Sequence, residues 1–211
     1  INIAIANEFS RLAQKFDVDI WEAIEIANLH PRVEILRPGV GVGGHCISVD
    51  PWFLVEAAPE TAKLIKTARG INDEQPEFVA DLIEKAAGSL AGKKVAFLGL
   101  AFKPNVDDIR ESPAVHLAYH LQTRGAVVDS YEPFKENAGL KGIHQVTNLE
   151  DALLDADIIL LAVGHEQFKD LDPQLIHEKT KASLVFDAVN SWDKAAWENA
   201  GFQFMGLARK Y

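Results

Sequence analysis

Apolar residues recur at intervals of three and four from Ile1 through Ile5, Phe9 and Leu12 to about Lys15, the spacing of one helical face. A second helix is predicted from Asp19, whose carboxylate can cap it, through Ala27. Between His30 and Gly44 the periodicity disappears and the chain reads as loop. Asp50-Pro51 signals a further start, with the aspartate as N-cap and the proline at the first helical position of a short helix through Trp52, Phe53 and Val55. Residues 60–89 are helical in composition, with Pro76 kinking or splitting them.

At Gly92 the pattern changes character. Lys94 to Leu100 is a near-continuous apolar run of the buried-strand type, Ser112-Pro113 opens a helix ending near Gly125, and Ala126 to Tyr131 reads as a second strand. That is one βαβ unit. A helix at 149–156, strands at 157–163 and 183–189, a helix at 192–200 and a strand at 201–206 follow. The alternation predicts an α/β fold: a helical part over 1–90, then a Rossmann-like domain over 91–211 with a mainly parallel sheet. Its ligand crevice is expected at the carboxyl ends of the strands. Ile1 to Phe9 reads as helix interior without initiator Met, cap or signal-peptide layout, so a piece of a longer protein is expected.

Composition narrows the partners. With 211 residues, 48% of them hydrophobic and 25% charged, the chain can bury one large or two modest cores. A net charge of -10 argues against nucleic acid and anionic membranes, which need dense cationic patches, but leaves room for a small anionic ligand. The longest apolar run, Ile158 to Val163, is strand-sized and far short of the ~20 residues a bilayer requires. A lone cysteine forms no internal disulfide, which fits a reducing cytoplasm.

That cysteine, Cys46, stands directly behind Gly39, Gly41, Gly43 and Gly44. A solitary Cys is most often a small buried hydrophobe. Here the glycines before it and the polar helix start after it place the thiol near backbone N–H groups, where a thiolate is stabilised and nucleophilic. Asp50 can orient a water, take a proton or simply cap the next helix. His45, adjacent in sequence, suits an anchoring or packing role better than a catalytic one. The seven histidines show no metal-ligand spacing, so no metal is expected.

The glycine run satisfies neither a P-loop nor a dinucleotide fingerprint, and the strand ending at Gly99 runs into Leu-Ala-Phe-Lys-Pro. Lys103 and Arg110 lie in this first crossover, where two cations can clamp phosphates or pair at the surface with Asp107, Asp108 and Glu111. Phe102 can stack on a ring or fill the core. His30-Pro31-Arg32 offers a further anion-binding pair in irregular chain.

Together these runs resemble the UDP-glucose/GDP-mannose dehydrogenase family, with its Gly-Gly-x-Cys-x-x-x-Asp loop and its Gly-x-x-Phe-Lys segment before Arg-x-Ser. The resemblance covers essentially the whole chain. It implies two oxidations of a sugar C6 alcohol to a uronic acid with two NAD, in a homodimer built through the N-terminal helices. Cys46 would be the nucleophile and Asp50 would assist water. Gly43, Phe102 and Lys103 would contact substrate, as would His30 and Arg32, and Arg110 would reach NAD. His-Pro-Arg-Val and the loop sequence are most similar to the branch acting on UDP-N-acetyl-D-mannosamine, with UDP-N-acetylglucosamine or UDP-glucose as alternatives. The resemblance also implies that the family's NAD domain and its catalytic Lys-x-x-x-Asn precede Ile1, leaving the chain alone inactive. Two positions depart from the family pattern: Val49 replaces a lysine of the UDP-glucose branch, and Asp187-Ala188-Val189-Asn190 lacks an expected cation. A non-catalytic UDP-sugar-binding module is the reading from another class. A cysteine hydrolase would need a separated Cys/His signature that the sequence lacks.

Overall fold

The computed structural model describes residues 1–209. Helices α1 (Asn2–Phe16) and α2 (Ile20–Asn28) form as expected, and the Asp19 carboxylate accepts from the Trp21 and Glu22 amides to cap the second. The face that α1 buries is not its apolar stripe: Ala4, Asn7, Ser10 and Ala13 point inward, while Ile1, Ile5, Phe9 and Leu12 stay exposed.

Helix α3 spans Asp50–Ala57 and corrects one expectation, because its N-cap is Val49 and Asp50 already lies in the first turn. The Cys46 carbonyl accepts from the Val49 amide at 3.1 Å and the Asp50 amide at 2.8 Å, so the chain is turning before the aspartate arrives. Pro76 splits the next helical stretch. Helix α4 (Lys63–Asp73) ends and α5 (Gln75–Ala87) begins with proline in its first turn, where the missing N–H removes no helical bond.

The second half is a six-stranded sheet in the order β3-β2-β1-β4-β5-β6, parallel throughout. Its strands are β1 (Lys94–Leu98), β2 (Val127–Tyr131), β3 (His144–Val146), β4 (Ile158–Leu161), β5 (Leu184–Asp187) and β6 (Gln203–Gly206). The strand order reverses at the β1/β4 junction, which opens a crevice past the carboxyl ends of both. β4 and β5 are buried along their whole length, explaining their unbroken apolar runs. The helices are α6 (Pro113–Thr123), α7 (Leu149–Leu153), α8 (Glu166–Lys169), α9 (Pro173–Lys179) and α10 (Lys194–Asn199).

Three of these have no counterpart in the sequence reading. β3 is a three-residue edge strand, too short for an alternating pattern, and α8 is a single turn. Helix α9 carried a legible signal, since Asp172-Pro173 repeats the Asp-Pro start and here the carboxylate does cap, accepting from Gln174 and Leu175.

One face of the sheet shares a core with the helical half: Trp21, Ile24, Val40 and Val79 pack in one cluster with Phe97, Leu117 and Leu207. The Trp21 indole donates to the Leu207 carbonyl at 2.9 Å, tying α2 to the end of β6. The opposite face is sealed by Leu153, Phe168, Trp192, Trp197 and Phe202. Each such side chain contributes about 1.5–3 kcal/mol on burial, so the sheet forms a stiff platform for the loops at its edge.

Candidate functional site

A cavity of about 290 Å³ opens at the β1/β4 junction. Its floor comes from the turns after these strands, Ala101–Pro104 and Ala162–Gly164, and one wall from Arg37–Gly41 of the glycine loop. Lys103, Lys169 and Arg37 line it and, among the described residues, no acidic side chain does, although Lys169 is paired with Glu166 at 2.6 Å. A concave lining whose charged groups are cations suits a small anion, even in a chain of net charge -10. The Lys103 ammonium lies 5.4 Å from the centre of the Phe102 ring and forms no ion pair among the described residues. It is therefore available to a phosphate, while Phe102 offers an aromatic surface beside it.

The glycine loop is shaped chiefly by packing. A Cβ on Gly43 would lie 2.4 Å from the Glu111 carbonyl, 2.7 Å from Pro113 Cδ and 2.8 Å from Phe102 Cβ. Gly44, at φ +90°, donates its amide to the Arg110 carbonyl at 3.1 Å, and a Cβ there would meet the Phe102 ring at 3.1 Å. These glycines let the helical half close onto the β1 crossover. Gly43 is buried there and does not line the cavity, whereas Gly39 and Gly41 do.

Behind the loop is a buried network of neutral amides. Asn7, with no exposed surface, accepts the Gly39 amide at 3.0 Å and donates to the Asn72 side chain at 3.0 Å. Gln75 donates to the Gly39 carbonyl and accepts from Arg11. The Gly39 backbone is thus held through both its donor and its acceptor. At the other end of the loop the Cys46 thiol is exposed, and Asp50 follows one α-turn later with its carboxylate also exposed. The Asp50 amide donates to the Cys46 carbonyl at 2.8 Å, which keeps the two residues one turn apart.

Residues 1–74 match the central domain of the UDP-glucose/GDP-mannose dehydrogenase family, and residues 96–194 match that family's UDP binding domain. The chain belongs to this family. It is 43% identical over 206 residues to the UDP-N-acetyl-D-mannosamine dehydrogenase of Methanocaldococcus jannaschii, an alignment covering 96% of this chain and 47% of that protein. It is 45% identical over 195 residues to an NDP-N-acetyl-D-galactosaminuronic acid dehydrogenase of Ralstonia nicotianae, covering 91% and 45%. Among solved structures, UDP-D-ManNAc dehydrogenase from Pyrococcus horikoshii superposes with a TM-score of 0.87 at 37% identity, over 99% of this chain and 49% of the other. The chain spans about half the length of the curated relatives it matches.

Family membership makes NAD the expected oxidant, and the sheet can be tested for it. A dinucleotide site of this topology needs a glycine-rich turn after β1 and an acidic residue after β2 that faces the ribose. Here the β1 turn is filled by Leu100, Ala101 and Phe102, and the acid after β2, Glu132, has a fully buried side chain occupied by protein N–H groups. The sheet does not fit NAD.

The remaining expected contacts fall into two groups. Arg110 is exposed and held by Asp108, its Nε donating to both carboxylate oxygens at 2.9 and 3.1 Å. That bond holds the Asp108 carboxyl far below its ordinary range. Arg110 also lies near enough to Cys46 for the thiolate to favour its charged form, though less than Asp108 does. The surface pairing is therefore present for Arg110, while Lys103 lines the cavity without an ion pair among the described residues. His30 and Arg32 are exposed on the loop after α2, where the Arg32 amide donates to His30 Nδ1 at 3.3 Å, and neither lines the cavity.

Val189 does line the cavity, so the position where the family carries a cation faces the site without charge. Arg37 and Lys169 bring charge there that no sequence motif singled out. For Arg37 the available signal was its place directly before Pro38-Gly39; for Lys169 there was none, because α8 itself was not legible.

Proposed function

We propose that this chain is the substrate-binding and nucleophile-bearing part, divided near residue 90, of an NAD-dependent UDP-N-acetyl-D-mannosamine 6-dehydrogenase that forms the uronate for surface polysaccharides. The observation that supports it most is the shared loop: residues 37–41 wall the cationic cavity and the same loop reaches Cys46 five residues later. A nucleotide diphosphate resting on Phe102, Lys103 and Arg37 would extend its sugar toward that thiol.

In this reading the net reaction consumes one alcohol, one water and two NAD and yields the carboxylate, two NADH and three protons. NAD supplies the oxidising power; the residues of this chain do the rest. Cys46 Sγ adds to C6 at the aldehyde level, and sulfur suits both this attack and later departure from a thioester. Asp50 takes a proton from the water that displaces the thiol as the uronate forms. Arg110, held in place by Asp108, is the contact toward NAD, while Gly43 holds the loop close to the sugar.

We further propose a cytoplasmic homodimer. Ile1, Ile5, Phe9, Leu12 and Phe16 line one face of α1 and are each between 39% and 65% exposed, an apolar stripe that a second copy would cover. His30 and Arg32 project from the adjoining loop and would serve the partner's sugar. None of the described helices is long and apolar enough to cross a membrane.

Steady-state rates with UDP-N-acetylmannosamine and UDP-N-acetylglucosamine, measured on the protein that carries this chain with its NAD-binding part, test the substrate. Preference for the glucosamine epimer overturns the mannosamine assignment. The Ralstonia relative keeps an N-acetylgalactosamine configuration as a second reading, so that epimer belongs in the same series.

A further inference from the structure

We propose that Glu132 and His165 are positioning residues for the nucleotide: a buried carboxylate–imidazole pair that fixes the Leu100–Asn105 turn and so presents Phe102 and Lys103 to the cavity. The inference rests on reading the cavity as a UDP site.

Both side chains have 0% exposure. A carboxylate so deeply buried is tolerated only when its lone pairs are engaged. One Glu132 oxygen accepts from the Leu100 amide at 2.7 Å, the Ala101 amide at 2.9 Å and His165 Nε2 at 3.1 Å; the other accepts from the Phe134 amide at 3.0 Å. His165 Nδ1 in turn accepts the Asn105 amide at 2.9 Å. An Nδ1 that accepts carries no proton, so the ring's proton sits on Nε2 and points at Glu132. Asn105 is in the left-handed region at φ 62°, and its side-chain oxygen accepts the Glu166 amide at 3.0 Å.

The turn is therefore gripped at both ends, Leu100 and Ala101 by the carboxylate and Asn105 by the imidazole, with Phe102 and Lys103 between. Phe134 and Phe168, at 5.1 and 5.5 Å from the His165 ring centre, fix the plane of the imidazole. His165 is also the residue from which α8 starts, and α8 ends in Lys169 at the cavity. Burial pushes the Glu132 carboxyl up, but the bonds from His165 and from the Leu100 and Phe134 amides outweigh it and leave the group below its ordinary value. The charge persists at neutral pH, which keeps the acceptor strong. Each of these bonds is directional, so a charged carboxylate engaged by a neutral imidazole and three amides holds the turn in one geometry. Except for the Phe134 amide, every bond of this pair is spent on the turn at the cavity.

The test is UDP titration calorimetry on the 211-residue chain, with amide hydrogen exchange in the absence of UDP. In the unsubstituted chain the Leu100, Ala101 and Asn105 amides are expected to exchange as slowly as those of β1. Fast exchange overturns the proposal without any variant. Glu132→Gln and His165→Phe are each expected to weaken UDP at least tenfold and to release those three amides. Combining either with Lys103→Ala is expected to weaken UDP little beyond Lys103→Ala alone, because a mispositioned lysine and an absent one fail alike. Folded variants with unchanged affinity, or with fully additive losses, sink the positioning role. If the unsubstituted chain ignores UDP while its three amides stay protected, the UDP reading fails and the grip on the turn survives.

Discussion

The glycine loop and the β1 crossover face each other where Gly43 and Gly44 meet Phe102, Arg110 and Glu111, yet they are immobilised by opposite chemistry. The loop is held by neutral donors and acceptors from Asn7, Asn72 and Gln75, the crossover by an ionised carboxylate and an imidazole. Neutral amides are indifferent to pH and tolerate the exposed thiol at the end of their loop. The buried charge is stiffer but titratable. In the proposed enzyme the first region does chemistry and the second holds the nucleotide, and substitutions should separate the two roles.

The widest separation is expected from Cys46→Ala, which should lower uronate formation by about 10⁴-fold or more while leaving UDP affinity untouched. Rate assays and calorimetry on one preparation decide this; a matching loss of affinity would merge the two regions into one. Next comes a contrast inside the loop. Gly43→Ala forces a Cβ into the Glu111 carbonyl at 2.4 Å and should cost about 3 kcal/mol or more, seen as a lower urea midpoint. Gly39→Ala, with nothing within 4 Å, should stay within about 0.5 kcal/mol. Equal midpoints would show that the loop does not depend on close approach to the crossover.

Lys103→Ala should weaken UDP about 10- to 100-fold, the size of a lost charged hydrogen bond, without changing the alkylation rate of Cys46. Unchanged UDP affinity would remove Lys103 from the site. Acid response gives the smallest and most diagnostic effect. Glu132 sits below its ordinary value of 4.5 in the folded chain, so the stability it supplies is complete above that pH and is lost as pH falls toward the folded-state value. Asp187, raised by burial against three backbone N–H bonds, has the opposite sign and gains stability as it protonates. Urea midpoints followed into acid should therefore fall less steeply for Glu132→Gln than for the unsubstituted chain, and Asn7→Ala should lower the midpoint equally at every pH. A parallel acid limb for Glu132→Gln would contradict the assignment of charge to that region.

Much of the fold was legible because its signals are local. The apolar run at 94–100, the Pro76 break and the Ser112-Pro113 start each correspond to an element, since strand burial and the missing proline N–H act within a few residues. Asp50 shows where local reading fails. The same Asp-Pro pair caps at Asp172 but not at Asp50, because the turn that begins at Cys46 has already made Asp50 helical. Lys103 was legible as a candidate at a strand's carboxyl edge, but Arg37, Lys169 and Glu132 were not. Their roles arise from approaches across the chain that carry no spacing signal.

By itself the sequence determined the order of the helices and strands apart from β3, α8 and α9, the mainly parallel sheet, the family and the cysteine loop, all encoded in residue types at fixed short spacings. Only the tertiary structure decided that Gly43 serves close packing while Gly39 and Gly41 line the cavity. It also decided that Arg110 is spoken for by Asp108 while Lys103 faces the cavity, and that the acid after β2 turns inward instead of reading a ribose. The reason is physical: where a charged side chain points depends on which partners the fold brings within about 3 Å, and these can stand two residues away, as Asp108 does from Arg110, or some thirty, as Leu100, Ala101 and His165 do from Glu132.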